Sequence, residues 1–147
     1  GTWPIDGRQV GVLISTDISG DTAAAVGKLV DELSAAGTTP LVVAEKGGTV
    51  KLGDKDTPIS RTYLTASSIE FDAVVVVNPP AKTDVDTILG ECERHKKAIV
   101  AVGEAGKQAL EAARVPADQP GIVAVDTADA AAAPVQELLA SHRVWER

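Results

Sequence analysis

The sequence predicts a three-layer α/β fold in which a mainly parallel sheet carries helices on both faces. Short runs rich in β-branched residues alternate along the chain with segments whose apolar residues recur every three or four positions. Such alternation is typical of strand–helix–strand units, whose parallel strands are covered on both sides. The length of 147 residues suits a single domain with a sizeable core.

Five apolar runs predict the strands of the sheet. Ala73–Val77 is apolar at every position, which is typical of a central strand buried on both faces. The other predicted strands are Val10–Ser15, Pro40–Ala44, Ile99–Val102 and Ile122–Val125.

Four apolar stripes predict the helices that connect these strands. The first helix should end at Gly37, because glycine favours the position just after a helix C-terminus. The third should span Ala105–Ala113, directly after a predicted strand. The stripes consist of Val26, Leu29, Val30 and Leu33; Val85, Ile88, Leu89 and Cys92; Gly106, Ala109, Leu110 and Ala113; and Val135, Leu138, Leu139 and His142.

The segment between the second and third strands does not fit this alternation. Residues 45–57 are rich in Gly, Lys and Asp and contain no helical stripe. We therefore expect a small hairpin or an irregular excursion here. Ile59, Tyr63 and Leu64 are expected to anchor the continuation of this segment to the core.

Composition limits the partners and the compartment. The net charge of −7 argues against nucleic acid or an anionic membrane as a partner. The single cysteine, Cys92, excludes an internal disulfide and fits a reducing compartment, so a cytoplasmic location is expected. Methionine is absent even from position 1, so we expect residues 1–147 to be one domain excised from a larger protein.

Polar segments follow three of the predicted strands. They are Ser15-Thr16-Asp17, Asn78-Pro79-Pro80 and Gly103-Glu104. In parallel α/β sheets, ligands bind at the carboxyl ends of the strands, so these segments are expected to converge there. The Gly103–Gly106 spacing is only a weak phosphate-binding signal, and Glu104 would repel an anion at the helix N-terminus. A structural role for this turn is favoured.

The remaining candidates for chemistry favour structural roles as well. Cys92 lies on an apolar helix stripe, as a buried and inert cysteine would, and a catalytic thiol would need an adjacent base such as His95. His142 is expected to pack or cap near a helix end. Two histidines and one cysteine without ligand spacing do not form a zinc site, so no metal is expected.

Several stretches resemble the class I glutamine-amidotransferase-like superfamily, whose fold is flavodoxin-like. They are VGVLIS, AVVVV and KAIVAVGEAG. A closer resemblance is to the C-terminal domain of large-subunit haem catalases. It covers nearly the whole chain and is carried by Asp6–Leu13, Tyr63–Val75 and His142–Arg147.

The resemblance implies a site that has lost its chemistry. The hydrolytic branch of the superfamily carries a cysteine nucleophile where this chain has Gly103, in an elbow followed by Glu104. That branch also has a Pro-Gly-Gly turn whose backbone N–H helps form an oxyanion hole, where this chain has Asn78-Pro79-Pro80. Because proline lacks an N–H, the resemblance implies a vestigial elbow, a vestigial oxyanion turn and no catalytic residue.

The resemblance also implies a biological setting. It predicts a non-catalytic domain that stabilises or assembles a tetrameric catalase, or acts as a chaperone. Haem and the peroxide-decomposing site would belong to the catalase core, which would be the partner, and no cofactor is expected in this domain. One alternative is a free-standing hydrolase or glyoxalase, which Gly103 opposes. Another is a small-ligand or flavin binder, for which few aromatic rings are available.

Overall fold

The computed structural model describes residues 4–141 and confirms the α/β prediction. Six strands form one parallel sheet in the order β5-β2-β1-β6-β7-β8, and β3 and β4 form a separate antiparallel hairpin. The strands are β1 (Gln9–Leu13), β2 (Thr39–Ala44), β3 (Thr49–Leu52), β4 (Lys55–Pro58), β5 (Arg61–Thr62), β6 (Ala73–Val76), β7 (Ala98–Val102) and β8 (Ile122–Val125). The helices are α1 (Gly20–Ala35), α2 (Thr83–Arg94), α3 (Gly103–Ala112) and α4 (Ala132–Ser141), with 3₁₀ turns at Ser68–Glu70 and Ala128–Ala130.

Helices cover both faces of the sheet, as predicted. One apolar cluster joins α1 and α4 to the sheet, and a second joins α2 and α3 to the opposite face. Successive side chains of a strand point to opposite faces, so Val75 of β6 belongs to the first cluster and Val74 to the second. All four residues of β6 are fully buried, which explains the uninterrupted apolar run in its sequence.

The segment after β2, for which a small hairpin or an irregular excursion was expected, contains a hairpin formed by β3 and β4. Strands β3 and β4 lie against α1, and a Cβ atom on Gly27 would come within 2.8 Å of the Leu52 carbonyl oxygen. Glycine in the middle of α1 therefore permits the close approach of the hairpin. Lys55 adds an ion pair to Asp31, with Nζ and Oδ2 2.8 Å apart.

The expectation that Leu64 anchors the following segment is wrong. Its side chain is 83% exposed, whereas Tyr63 is buried. The Tyr63 hydroxyl donates a hydrogen bond of 2.6 Å to the carbonyl oxygen of Ile14. Tyr63 and Leu64 lie in a turn that the N–H groups of Thr65 and Ala66 close by donating to the Thr62 carbonyl oxygen. Tyr63 points inward from this turn, and Leu64 lies at its solvent side. Ile59 packs partly buried against the core, as predicted.

Candidate functional site

A crevice of about 510 Å³ opens at the carboxyl ends of β6, β7 and β8, where the fold class predicts ligand binding. Asn78, Gly103 and Glu104 line it, as the sequence predicts. The first turn of α1 and the loop after β8 complete the walls. The other lining residues are Asp21, Thr22, Ala25, Val77, Val102, Ala105, Asp126, Thr127, Ala128 and Asp129.

Gly103 occupies the sharp turn between β7 and α3. Its φ of +62° lies in the left-handed region, which residues other than glycine rarely adopt. A Cβ atom there would lie 3.4 Å from the Asp126 carbonyl oxygen, so space exists for a small side chain. The backbone thus has the strained strand–turn–helix shape of a nucleophile elbow, but the residue at its apex carries no side chain.

Gly106 packs this elbow against the sheet. A Cβ atom on Gly106 would come within 2.8 Å of the Val76 carbonyl oxygen and 3.0 Å of the Ala101 carbonyl carbon. These neighbours are backbone atoms of β6 and β7, which cannot move aside independently. Glycine at this position therefore sets the close approach of α3 to the two strands.

The turn after β6 directs no backbone donor into the crevice. The N–H of Asn78 donates to the Leu13 carbonyl oxygen at 3.3 Å, and Pro79 and Pro80 have no N–H to donate. An oxyanion hole needs donors about 3 Å from the developing charge. Of this turn only Asn78 lines the crevice; the prolines, which were expected to converge there, do not.

The crevice is acidic. Asp21, Glu104, Asp126 and Asp129 line it, and no lysine, arginine or histidine is among its lining residues. Lys107 lies just outside, with its Nζ 3.9 Å from a Glu104 carboxylate oxygen, a separation at which exposed charges interact weakly. An anionic group such as a phosphate would be repelled by these carboxylates.

The described residues offer no side-chain cluster for a metal. Within residues 4–141, no group of three or more His, Cys, Asp or Glu side chains is arranged to hold an ion. In the same range, no helix combines the length and the apolar character required to span a lipid bilayer.

Ser15 and Thr16 contact Glu45 rather than the crevice, and Asp17 contacts Ser15. The Glu45 carboxylate accepts hydrogen bonds from the Thr16 N–H at 2.5 Å, the Thr16 hydroxyl at 2.6 Å and the Ser15 hydroxyl at 2.9 Å. The Ser15 hydroxyl also lies 2.5 Å from an Asp17 carboxylate oxygen. This network fastens the end of β2 to the turn after β1.

The network perturbs two titratable groups. Burial raises the pKa of Glu45, but the bonds from Thr16, its own backbone and Ser15 outweigh burial and lower the pKa to about 2. Burial raises the pKa of Tyr63, and the negative charge of Glu45 raises it further. Sequence reasoning missed Glu45, since its partners lie 29 and 30 positions away and no short motif joins them.

The other predicted candidates lie in structural surroundings. Cys92 is buried in the cluster beneath α2, as expected. His95 Nδ1 is 3.0 Å from the hydroxyl oxygen of Ser68, which also donates to Glu91 at 3.2 Å. Ser68 is fully buried, so this group connects the 3₁₀ turn at Ser68 to the end of α2. His142 lies outside the described residues.

Known proteins resemble this chain along nearly its whole length. The chain is 29% identical over 148 residues to a catalase of Alkalihalophilus pseudofirmus, and the match covers 97% of this chain but 21% of that catalase. It therefore spans about a fifth of the length of this relative. A family model described as the C-terminal domain found in long catalases matches residues 6–147. The chain belongs to this family of catalase C-terminal domains.

Proposed function

We propose that this chain is a non-catalytic accessory domain of a long catalase, in which it stabilises the folded core and its assembly into a homotetramer. The parent protein would decompose hydrogen peroxide with haem bound in the core. Family membership supports the setting, since a matched relative is a catalase about five times as long as this domain.

The observation that carries the non-catalytic role is the elbow. The backbone turn of a nucleophile elbow is present at Gly103, but no nucleophile stands at its apex. Asn78 donates its N–H to Leu13, and the two prolines that follow have none. One oxyanion donor contributes about 3 kcal/mol of transition-state stabilisation. Nucleophile and donors are thus both missing from the vestigial site.

The residues of the crevice do not fit haem. Haem iron needs an axial ligand such as histidine, cysteine, tyrosine or methionine, and none of these lines the crevice. Tyr63 is buried and bonded to Ile14, and Cys92 is buried in the core. A haem group with two carboxylates would also meet the four carboxylates of the crevice. These observations favour a haem site in the core of the parent protein.

A domain without chemistry can still stabilise its parent. The two apolar clusters of this domain are closed by its own helices, so we expect it to fold alone. Contacts made only with the folded catalase core would stabilise that core by linkage. Tethering raises the local concentration to about the millimolar range, so even a weak interface would be occupied.

The test is a deletion in the full-length catalase that carries this domain. We expect deletion from Trp3 onward to leave activity per haem nearly unchanged before heating. Residual activity after heating, or the tetramer fraction measured by sedimentation, should fall. Loss of most activity per haem in a correctly assembled deletion form would instead assign the domain a direct role in catalysis. Unchanged activity, assembly and heat resistance would remove the stabilising role.

Two finer features belong to the same proposal. A cytoplasmic location of the parent is the first, since a single cysteine cannot form a disulfide within the domain and suits a reducing compartment. A chaperone-like activity of the domain would appear as suppression of the aggregation of a heated client protein. Cell fractionation and an aggregation assay with the isolated chain test these two features separately.

The ligand-binding alternative rests on the size of the crevice. A volume of about 510 Å³ is within the usual range for small-molecule sites. The carboxylates that line the crevice would repel the phosphate of a flavin nucleotide and other phosphate groups. Calorimetric titration of the isolated chain with flavin mononucleotide should therefore give no heat of binding, and saturable binding would favour the alternative.

A further inference from the structure

The segment from Arg61 to Glu70, here called the 61–70 loop, is closed and tightly held. Arg61 Nε and Glu70 Oε1 form an ion pair of 2.6 Å that joins its two ends. Ser67 and Glu70 form a reciprocal capping box at the 3₁₀ turn. Compact loops of this kind, with adjoining ends, are frequently functional.

Hydrogen bonds from two buried side chains hold the loop against the body of the domain. The buried Tyr63 hydroxyl donates to the Ile14 carbonyl oxygen, and the buried Ser68 hydroxyl contacts Glu91 and His95 of the α2 end. The N–H groups of Thr65 and Ala66 both donate to the Thr62 carbonyl oxygen, at 3.0 and 2.8 Å. The outward side chains of the loop are therefore presented by a preorganised backbone.

This rigid loop exposes two large aliphatic side chains. Leu64 is 83% exposed and Ile69 is 78% exposed, and within residues 4–141 they are the only large apolar side chains in solvent. Their Cα atoms are at most about 18 Å apart, the reach of five extended residues. This separation is within the width of one interface of the standard size of about 800 Å² per partner.

The charge of the loop also suits an apolar contact. No charged residue lies between Arg61 and Glu70, and these two neutralise each other. The chain as a whole carries a net charge of −7, with 24% charged residues. The centres of protein interfaces are depleted of charge in the same way.

The position of the loop indicates what covers it. The backbone carbonyl oxygen of Glu70 accepts a hydrogen bond of 2.6 Å from the Gln9 side-chain amide, and the Asp72 carboxylate accepts one of 2.8 Å from the Gln9 N–H. Arg8 Nε lies 3.3 Å from the Asp72 carboxylate. The end of the loop is thus fastened to the residues that lead into β1. In the proposed parent, the core would precede this domain and be tethered near the Glu70 end of the loop.

We propose that the 61–70 loop docks against the catalase core of the same polypeptide through Leu64 and Ile69. This inference rests on the proposed function, since it names the surface through which the domain would stabilise its parent. A preorganised surface loses little conformational entropy on docking. Attachment beside the loop supplies the high local concentration.

The direct test is carbene footprinting of the wild-type protein, which labels accessible side chains and needs no substitution. The isolated chain and the assembled full-length catalase are labelled in parallel, and Leu64 and Ile69 are quantified by mass spectrometry. At about millimolar effective concentration, an interface of about 0.1 mM affinity is occupied roughly 90% of the time. Labelling of both side chains should then fall about tenfold in the full-length protein.

Ala124 provides the internal control, because it is exposed on β8 at the opposite edge of the sheet. It should label similarly in both forms. Equal labelling of Leu64 and Ile69 in both forms would overturn the docking proposal. Protection of the isolated chain that increases with its concentration would assign the loop to a second copy of this domain, and would also overturn it.

A double substitution then tests the docking surface separately from the stabilising role of the whole domain. In full-length catalase, Leu64→Ser combined with Ile69→Ser should reduce heat resistance toward that of the deletion form, whereas Ala124→Ser should not. If deletion lowers heat resistance but the double variant does not, the stabilising role stands and this surface is wrong. If footprinting shows protection but deletion has no effect, the surface stands and the stabilising role fails.

Discussion

Replacing Glu45 by glutamine should destabilise the isolated chain in a pH-dependent way. The carboxylate accepts bonds from the Thr16 N–H, the Thr16 hydroxyl and the Ser15 hydroxyl. Glutamine keeps the size of the side chain, but it loses the charge and replaces one acceptor by a donor. The Glu45→Gln variant therefore weakens the connection between the turn after β1 and the end of β2.

The pKa of Glu45 sets the magnitude. A fall from 4.5 to about 2 corresponds to roughly 3.5 kcal/mol before screening, at about 1.4 kcal/mol for each unit of pKa. Because Glu45 is only partly buried, solvent screening reduces this contribution, and we expect about 1–2 kcal/mol. The loss should appear in the free energy of unfolding at neutral pH.

The sign of the pH dependence follows from the lowered pKa. The unfolded chain binds a proton at Glu45 before the folded chain does, so folding gains stability above pH 4.5. This gain is lost as pH falls from 4.5 toward about 2. The difference between wild type and Glu45→Gln should therefore be largest at neutral pH and shrink over that acidic range.

Urea denaturation of both proteins, from neutral pH down through this acidic range, measures the difference in their free energies of unfolding. Glu111→Gln is the matched control, because Glu111 is exposed on α3, and it should change stability by less than about 0.5 kcal/mol. A difference between wild type and Glu45→Gln that is independent of pH would refute the reasoning, since it would place the contribution outside the carboxylate charge.

Three further predictions concern glycines and buried polar groups. Gly106→Ala should cost about 1–3 kcal/mol by forcing α3 away from β6 and β7, whereas Gly47→Ala, with nothing within 4 Å of its new Cβ, should have little effect in thermal denaturation. Gly103→Cys should cost about 1–2 kcal/mol through its left-handed backbone and show no ester or glyoxal turnover above background; robust turnover would contradict the vestigial site. Ser68→Ala should cost about 0.5–1.5 kcal/mol in urea denaturation, because Glu91 and His95 lose a hydrogen-bond partner but still reach solvent, and an unchanged midpoint would show that the group is not stabilising.

The sequence predicted the sheet and its helices because their signals are local. The uninterrupted apolar run of β6 indicates a strand buried on both faces, and the spacing of Val85, Ile88, Leu89 and Cys92 indicates the buried face of α2. The hairpin was anticipated only as one of two options. Its defining contact, Gly27 against Leu52, joins residues far apart in the chain and leaves no periodic signal.

The site was only partly predictable for the same reason. Topology alone placed Asn78, Gly103 and Glu104 at one crevice, since carboxyl ends of parallel strands share an edge of the sheet. Ser15 and Thr16 instead form hydrogen bonds with Glu45. These residues are too far apart in the sequence for any short motif to predict the contact. The prediction for Leu64 was wrong because apolar character favours burial only on average, and the turn after Thr62 leaves this side chain in solvent.

The two glycines of the elbow explain how the turn can form with no side chain at its apex. Any residue with a side chain at position 103 would have to adopt a left-handed backbone conformation, at a cost of about 1–2 kcal/mol. An enzyme can tolerate this cost when the residue is its nucleophile. Glycine adopts the same φ of +62° without that strain, and Gly106 lets α3 lie directly on β6 and β7. The turn can therefore remain as a packing device between strand and helix. Under the proposed non-catalytic role, the function of this domain would depend on the surface that contacts the catalase core.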